Sequence, residues 1–520
     1  MQETLEYIKQ AFDLKNQQCY KQAIEMLYKA LEIECDNPEI LFQLGELYFL
    51  LKNFPRSIHY LEKVISKNPN HIESLEILEK IYVFSKDFSN ALSMAEKVLS
   101  LESNQKNIVN FIEIASQCGN LKKLKEFETS DDDKILYKIA KAYYDNKLSE
   151  EAKAKLEETL KINPENEDAL VLLGKIYFDK SEFEKSRNIF NAFSKMSENP
   201  EVLNYLGLFA IEDLKFVDAI KYFSKAFNID KKNAKYSYNL GNAYFYNGWI
   251  KEASASYLQA IRLEPENNGY RYSLAYLYYE AGMFDKAQSE IGYILENDPN
   301  YSPAHVLNAL LKYENKDYLG AKSELETNLK NSDDNFTLSV LAKVYNELSM
   351  YEKAETSIKK VISRNSESLN YRCQLAEIYI SQKKFEDAIK IVDEIIESNE
   401  NYVPAYITGA KASFNNGDLE KAKEYAQSAI SLDMNFGGGY YYLALVRFEE
   451  KDYNEAIECM RRAIIYDVNN DIYYAKMSEI YEAQNDYKTA LEYIAEAENI
   501  SGKNEYKTTF KRLANFCRKI

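Results

Sequence analysis

The stretch 234–267, AKYSYNLGNAYFYNGWIKEASASYLQAIRLEPEN, decides the fold of this 520-residue chain because its spacing recurs along nearly the whole sequence. Its Ala253 belongs to a series of small residues that mostly stand 34 residues apart. The series consists of Ala219, Ala253, Ala287 and Ala321, then, after one step of 33, Ala354, Ala388, Ala422, Ala456 and Ala490. Upstream, two shorter runs keep the same spacing, Ala23, Ser57 and Ala91, and then Ala152 and Ser186. A 34-residue period is typical of a stacked helix–turn–helix array, in which each repeat contacts only its neighbours.

The other positions of each repeat can be compared once the recurring small residue is numbered 20. In 234–267 the pattern residues are Leu240, Gly241 and Tyr244 at positions 7, 8 and 11, then Ala253, Tyr257, Ala260 and Pro265 at positions 20, 24, 27 and 32. This pattern resembles the tetratricopeptide repeat, and only Ser237 at position 4 departs from it. About fifteen such repeats cover roughly 4–503. The resemblance implies an all-α, right-handed superhelical α-solenoid of antiparallel helix pairs, helix A and helix B, with a concave inner wall.

The spacing also explains how such repeats would pack. Positions 4, 7, 8 and 11 fall on one stripe of helix A, and positions 20, 24 and 27 fall on one stripe of helix B. Small residues at positions 8 and 20 are predicted to let the two helices approach closely, with a large ring at position 11 beside them. Gly248, Gly282 and Gly417 at position 15 mark the turn between the helices.

Composition limits the classes of partner. The net charge of −17 argues against nucleic acid, because phosphate binding needs clustered Lys and Arg. No stretch approaches eighteen consecutive apolar residues, so no membrane span is expected, and the start of the chain lacks the pattern of a secretory signal. Six scattered cysteines suit a reducing compartment. We therefore expect a cytoplasmic protein whose partner is a protein or a peptide.

The regular spacing breaks at two places. Ala91 and Ala152 are 61 residues apart, and Lys125 stands where a small residue is expected. We interpret 1–103 as amino-terminal repeats, 104–132 as either a shortened repeat or a hinge, and 133–503 as the main superhelix. The segment 504–520 is predicted to be a capping helix, with docking of an anionic partner as the alternative. Gly437–Gly439 indicates a flexible joint or a close contact between helices, since a phosphate loop would need a preceding strand.

The sequence contains no pattern typical of catalysis. Its three histidines, His59, His71 and His305, lie in different repeats, without the spacing of a metal site or a nucleophile–base pair. We therefore expect no enzymatic activity, no cofactor and no metal.

A partner would contact the side chains of helix A that packing does not use, at positions 2, 5, 6, 9, 12 and 13. The candidate binding residues are Tyr238, Asn239, Asn242, Phe245, Tyr246, Tyr272, Tyr276 and Tyr279, which form a predicted tyrosine-lined groove, and the basic residues Lys138, Lys141 and Lys175. Rigid aromatic side chains are good recognition residues, and side-chain amides can pair with a peptide main chain. An alternative is that the rings pack between adjacent A helices.

These observations favour a non-catalytic scaffold or adaptor that holds a peptide segment or a protein in the concave groove. A second hypothesis is a structural subunit that self-associates or sits permanently in a larger complex. The outer faces of the B helices are mostly polar, which favours transient binding. The sequence identifies neither the partner nor the oligomeric state.

Overall fold

The computed structural model describes residues 2–193, 198–330 and 333–517, and within these ranges it contains thirty α-helices, one 3-10 helix and no strand. The chain divides into two compact units, Met1–Trp249 and Ile250–Ile520. The helices of the first unit are α1 Gln2–Asn16, α2 Tyr20–Ile33, α3 Pro38–Leu50, α4 Phe54–Lys67, α5 Ile72–Phe84, α6 Phe88–Leu101, α7 Gln105–Gln117, the 3-10 helix Leu121–Phe127, α8 Asp133–Asp145, α9 Ser149–Ile162, α10 Glu167–Asp179, α11 Phe183–Phe193, α12 Pro200–Glu212, α13 Phe216–Ile229 and α14 Ala234–Tyr246. Those of the second are α15 Ile250–Leu263, α16 Asn268–Glu280, α17 Phe284–Asn297, α18 Ser302–Glu314, α19 Tyr318–Asn328, α20 Asn335–Glu347, α21 Tyr351–Arg364, α22 Leu369–Ser381, α23 Phe385–Ser398, α24 Val403–Asn415, α25 Leu419–Leu432, α26 Gly437–Glu449, α27 Tyr453–Tyr466, α28 Asp471–Ala483, α29 Tyr487–Ser501 and α30 Asn504–Cys517.

Within each compact unit, consecutive helices pack against one another. Helix A of one repeat also contacts helix A of the next, as α3 does with α5 and α22 with α24. This arrangement confirms the predicted all-α solenoid of stacked antiparallel helix pairs, and it places neighbouring A helices side by side along one face of each stack.

The recurring small residues lie at the closest point between helix A and helix B. Every alanine or serine at position 20, from Ala23 to Ala490, is fully buried, whereas Lys125 of the shortened repeat is exposed. Where serine replaces alanine, its hydroxyl finds a partner across the pair: Ser57 donates to the Gly45 carbonyl oxygen and Ser186 to that of Gly174, both at 2.7 Å. A buried hydroxyl is therefore tolerated at this position because it is hydrogen-bonded.

The glycines at position 8 are required by the large residue at position 24. A Cβ atom added to Gly45 would lie 2.6 Å from Leu61, and one added to Gly207 would lie 2.5 Å from the ring of Phe223. Real Cβ atoms do not approach other heavy atoms so closely. The predicted close approach of the two helices is thus confirmed, and position 24 is the side chain that fills the space.

Tyrosines at position 11 link successive repeats through their hydroxyl groups. In each case the partner lies on helix B of the preceding repeat, and the pairs are Tyr48 with Tyr28 at 2.8 Å, Tyr278 with Ser254 at 3.0 Å, Tyr345 with Glu326 at 2.8 Å, Tyr379 with Glu355 at 3.2 Å and Tyr481 with Arg461 at 3.0 Å. Burial, together with the adjacent Glu326 carboxylate, raises the pKa of Tyr345. The phenol therefore stays a neutral donor at physiological pH.

One residue in each turn between helix A and helix B has a positive φ. In the described chain these residues are Gln18, Lys52, Lys86, Gly119, Lys147, Ser181, Leu214, Gly248, Gly282, Lys316, Ser349, Lys383, Gly417, Lys451 and Asn485. Fourteen of the fifteen stand at position 15 of their repeats, which confirms the turn that Gly248, Gly282 and Gly417 predicted, and Gly119 of the shortened repeat stands at position 14. The left-handed conformation favours glycine, but the repeat geometry imposes it on eleven lysine, serine, glutamine, leucine and asparagine residues as well.

Both segments in which the regular spacing breaks make close packing contacts. In 104–132, α7 is followed by the 3-10 helix, whose Leu124 is fully buried and whose Phe127 ring lies 5.8 Å from that of Phe111. The run Gly437–Gly439 opens α26, and a Cβ on Gly437 would lie 2.9 Å from the Ala463 carbonyl oxygen. For the glycine run, a close contact between helices is therefore present. The four-segment division of the chain stays a prediction, and 518–520 of the proposed cap lie outside the described residues.

We predict that Gly207→Ala lowers the free energy of unfolding by about 1–3 kcal/mol, because the added methyl group overpacks the contact with Phe223. The control is Gly292→Ala in α17, where the new Cβ meets nothing within 4 Å. Alanine is the better helix former, so this variant is expected to be neutral or stabilised by up to about 1 kcal/mol. Thermal and urea unfolding followed by circular dichroism measure both. Equal effects of the two variants would contradict the role assigned to position 8.

Candidate partner-binding site

The predicted binding residues are divided between the two compact units. Lys138, Lys141 and Lys175 belong to α8 and α10 of the first unit, as do the α14 residues Tyr238, Asn239, Asn242, Phe245 and Tyr246. Tyr272, Tyr276 and Tyr279 lie on α16 of the second unit. The predicted tyrosine-lined groove therefore consists of one patch in each unit.

Helix α8 is flanked by three clefts. The largest of the three, about 780 Å³, is lined by the amino-terminal half of α7, by α8 from Asp133 to Lys141, and by Asn163, Asn166 and the start of α10. A second, of about 160 Å³, lies between α7 and α8, and a third, of about 190 Å³, is lined by α8, α10 and the start of α12. Lys141 lines all three clefts, so this side chain lies where the three adjoin.

The three predicted lysines differ in their contacts. Lys138 binds the Glu113 carboxylate at 2.5 Å, and Lys175 lies 3.3 Å from a carboxylate oxygen of Glu201. Lys141 is exposed and forms no ion pair with any described residue. Its ammonium group is consequently available to a carboxylate from outside the chain.

Hydrogen bonds and burial set the protonation states of other groups in the largest cleft. The side-chain amides of Asn163 and Asn166 donate to Asp133 at 2.7 and 2.8 Å, and these bonds lower the pKa of its carboxyl. Burial, followed by the nearby carboxylates of Asp168 and Glu201, raises the pKa of Tyr137 to about 12. Tyr137 therefore offers a neutral ring and hydroxyl beside Lys141.

In the first unit, the α14 patch is partly occupied by packing. Asn239 is buried, and its Nδ2 atom donates to Oδ1 of Asn204 on α12 at 2.7 Å. Tyr246 is 55% exposed, with its ring 5.8 Å from that of Phe216. Tyr238, Asn242 and Phe245 are half-buried. Asn239 thus links two A helices, and the sequence comparison missed its partner because Asn204 stands at position 5 rather than 6.

In the second unit, the three predicted tyrosines form a row of rings. The centroids of Tyr272 and Tyr276 are 6.4 Å apart, as are those of Tyr276 and Tyr279, and all three half-buried rings pack against the core of this region. The Tyr279 hydroxyl donates to Glu314 on α18 at 3.1 Å. Burial raises the pKa of Tyr272, and burial together with Glu314 raises that of Tyr279. These rings contribute to packing between A helices, which was the alternative open from the sequence.

A recurrent contact along the inner wall was not predicted. A tyrosine at position 12 donates to a carboxylate at position 13 of the next repeat, and the pairs are Tyr144 with Asp179 at 2.7 Å, Tyr279 with Glu314 at 3.1 Å and Tyr313 with Glu347 at 3.2 Å. The signal in the sequence is a tyrosine followed by an acidic residue 34 or 35 residues later. These polar side chains of the wall are therefore paired between repeats.

Metal sites and membrane spans were also considered. In the described ranges, no group of three or more His, Cys, Asp or Glu side chains is placed to hold a metal ion. None of the described helices has the length and apolar character needed to cross a membrane. His71 caps α5 by accepting from the Ser74 amide, and His305 contacts Glu324 and the Pro299 carbonyl oxygen.

Models of known families match six segments of the sequence. A model described as TPR repeat matches 241–282, and models described as tetratricopeptide repeat match 17–81, 137–195, 369–402, 403–435 and 438–467. Together the matched segments make up about half of the chain. Among curated proteins, none matches the sequence.

Several solved structures are similar in fold. A tetratricopeptide repeat protein from Parabacteroides merdae ATCC 43184 shares 20% identity, covers 48% of this chain and 99% of its own, and has a TM-score of 0.41. A chain of the APC/C hetero-tetramer Cut9–Hcn1 shares 14% identity, covers 97% of this chain and 95% of its own, and has a TM-score of 0.42. Yeast Tom70 shares 16% identity, covers 82% of this chain and 96% of its own, and has a TM-score of 0.39. Identities this low concern the fold alone.

We predict that Tyr272→Ser lowers the free energy of unfolding by about 2 kcal/mol, because it removes a ring packed against the core. Tyr246→Ser, which removes a largely exposed ring, is expected to cost less than about 1 kcal/mol. Differential scanning calorimetry of the two full-length variants compares their melting temperatures. Should Tyr272→Ser melt like the wild type, the packing role of the α16 rings is wrong.

Proposed function

The chain belongs to the tetratricopeptide repeat family, and we propose on this basis that it is a non-catalytic scaffold that binds a peptide segment or a protein along the inner wall of its A helices. Proteins built from these repeats bind protein partners. The stacking of helix A and helix B uses positions 8, 11, 20 and 24, which leaves the inner-wall positions for a partner. The tyrosine-lined patches and the three lysines are the candidate contacts.

The observation that supports this proposal most is the surface of α8. Three clefts adjoin this helix, and the exposed Lys141 that lines all of them has no ion pair with the described residues. Lys134, two turns earlier on the same helix, adds a second exposed cation, and Tyr137, one turn before Lys141, offers a neutral aromatic ring. An acidic segment of a partner matches this chemistry, because its carboxylates would pair with ammonium groups that the chain itself leaves unpaired.

The overall charge of −17 gives this local surface its selectivity. A polyanion meets repulsion over most of the molecule, so an acidic segment would bind only where cations are clustered and unpaired. Exposed charge contacts are screened by salt, and binding through Lys141 would weaken as ionic strength rises.

We also propose a cytoplasmic location. The six cysteines are all free thiols, and two of them, Cys373 and Cys459, are buried. Burial raises the pKa of each of these two thiols to about 11, which keeps them protonated and unreactive. Free, spread thiols suit a reducing compartment.

Lys141→Glu is predicted to weaken binding of an acidic peptide about tenfold or more, because it replaces the unpaired cation with a repelling charge. The probe is an acidic dodecapeptide selected from a displayed library on the full-length protein, and its affinity is measured by fluorescence polarisation. The control is Lys97→Glu on α6, which makes the same charge change at an exposed lysine of helix B. Equal loss in both variants would show a non-specific charge effect, and no loss in either would refute the role of α8.

A structural subunit that self-associates is the second candidate function, and one feature favours it. Two successive turns, 433–436 and 467–470, carry exposed apolar side chains together with the ends of the flanking helices. These residues are Leu432, Met434, Phe436, Ile465, Tyr466, Val468 and Ile472, with 39–69% of each exposed. Contiguous exposed apolar residues are typical of surfaces that contact another protein.

Sedimentation velocity tests this alternative. Self-association through the two turns predicts a sedimentation coefficient that rises with protein concentration, and Met434→Ser/Ile465→Ser/Val468→Ser is expected to abolish the rise without changing the helical circular dichroism. A coefficient that is constant for the wild type would refute self-association. A rise that persists in the variant would place the contact elsewhere.

A further inference from the structure

The first compact unit contains a buried carboxyl group, that of Glu79, which the scaffold function does not use. Glu79 is 5% exposed and stands at position 8 of its repeat, on α5, where the preceding repeat has Gly45. Position 24 of the same repeat is the buried Ala95 instead of a large side chain, so the sizes of the two positions are exchanged. A leucine or methionine at position 8 would fill the same space. Packing therefore explains the size of the Glu79 side chain but not its carboxyl group.

A side chain of the shortened repeat holds this carboxyl group. Nδ2 of the half-buried Asn110, on α7, donates to Oε1 of Glu79 at 2.7 Å. The bond joins helix A of a regular repeat to helix A of the segment in which the 34-residue spacing fails. The contact between α5 and α7 thus depends on a buried polar pair, and the strength of that pair depends on whether the carboxyl group is ionised.

No ion pair neutralises Glu79 within the described part of the first unit. Lys106 of α7 lies 3.6 Å from Glu76, one turn earlier on α5, and Lys80 is exposed. Burial raises the pKa of Tyr82, one turn later on α5, so this phenol stays neutral. The remaining charged or titratable side chains on the neighbouring helices are exposed or paired elsewhere, and they are Glu39 and Glu46 of α3, Arg56, His59, Glu62, Lys63 and Lys67 of α4, Glu96 and Lys97 of α6, and Glu113 of α7.

These surroundings favour the protonated form of Glu79. Burial raises the pKa of its carboxyl group, and the Glu76 carboxylate acts in the same direction. The hydrogen bond from Asn110 and the charges of Lys80 and Lys106 oppose this rise but leave the pKa above its ordinary value. The native chain therefore keeps a proton that the unfolded chain has already released. The stability that this proton contributes is fully present below the ordinary pKa of glutamate and is lost as the pH rises through the raised value.

We propose that Glu79 makes the contact between α5 and α7 a pH-sensitive joint, which is closed while the carboxyl group is protonated and opens more readily once it ionises. A buried charge without a cationic partner is costly, and opening of the contact lets water reach it. The joint has a consequence that rests on the proposed scaffold function. Gln105, Lys106 and Val109 of α7 line the largest cleft beside α8, so the joint sets how firmly one wall of the proposed site is held.

Glu79→Gln tests the joint, because glutamine keeps the volume of the side chain and stays neutral at every pH. The measurement is hydrogen exchange of the α5 and α7 backbone amides in the full-length protein, followed by mass spectrometry and compared with the wild type at the same pH. At about pH 8 we expect exchange in the variant to be slower by about threefold or more, because the ionised carboxyl group of the wild type favours opening. The difference should shrink as the pH is lowered towards about 5.

Two further variants separate ionisation of Glu79 from other effects. Glu25→Gln on α2 makes the same charge change at an exposed position of the same unit, and it should leave exchange in α5 and α7 unchanged. Asn110→Ala removes the donor that stabilises the ionised carboxyl group. Its exchange should therefore increase more at about pH 8 than at about pH 5, since a hydrogen bond to a carboxylate is stronger than one to a neutral acid. A loss of packing alone would act equally at both pH values.

Three results would overturn the joint. The first is equal exchange of Glu79→Gln and the wild type at about pH 8, or a difference that does not change with pH. The second is faster exchange in Glu79→Gln at every pH, which would show that the ionised carboxyl group stabilises the contact. The third is a matching change in Glu25→Gln, which would reduce the effect to net charge. These measurements need no bound peptide, so they are independent of Lys141→Glu, which tests the proposed function.

Discussion

The close approach of helix A to helix B at positions 8 and 20 is the constraint on which the rest of the structure depends. It requires a glycine or another small residue opposite a fully buried small residue, and it admits one large side chain at position 24, as Phe223 fits against Gly207. Once this contact is made, the turn at position 15 must adopt a left-handed conformation, and it does so even at Leu214. Where a tyrosine stands at position 11, as at Tyr48 and Tyr345, its hydroxyl joins the repeat to the one before it. No single repeat can bury these faces alone, which is why the array must be long.

Stacking has a consequence for function, because it brings inner-wall side chains from successive repeats within hydrogen-bonding distance of each other. Asn239 with Asn204 and Tyr279 with Glu314 are examples of wall residues that satisfy one another. Against such a paired background, an unpaired group is informative. The Lys141 ammonium group, on which the proposed contact with a carboxylate rests, is exposed and forms no ion pair with the described residues.

Much of the fold could be predicted from the sequence, because the contacts that define it lie within one repeat or between adjacent repeats. The residue types that make these contacts therefore recur with the period of the repeat. The candidate site was less predictable. The predicted residues lie on the A helices α8, α10, α14 and α16, yet residue spacing does not show which of their side chains find partners within the chain. Lys138 is paired with Glu113 of the shortened repeat, where the period fails, and Lys141 one turn later is unpaired. Asn239, at position 6, donates to Asn204, which stands at position 5 of the preceding repeat.

The amino-acid pattern was sufficient to predict the helical class, the period, the small residues between paired helices and the positions of the turns. Each of these features depends on local spacing that recurs from repeat to repeat. Tertiary structure alone decided which polar groups are buried, which are paired and which are left without a partner. Those properties depend on distances between atoms about 20 to 35 residues apart in sequence, and a shift of one position or one rotamer changes them without altering the repeat pattern.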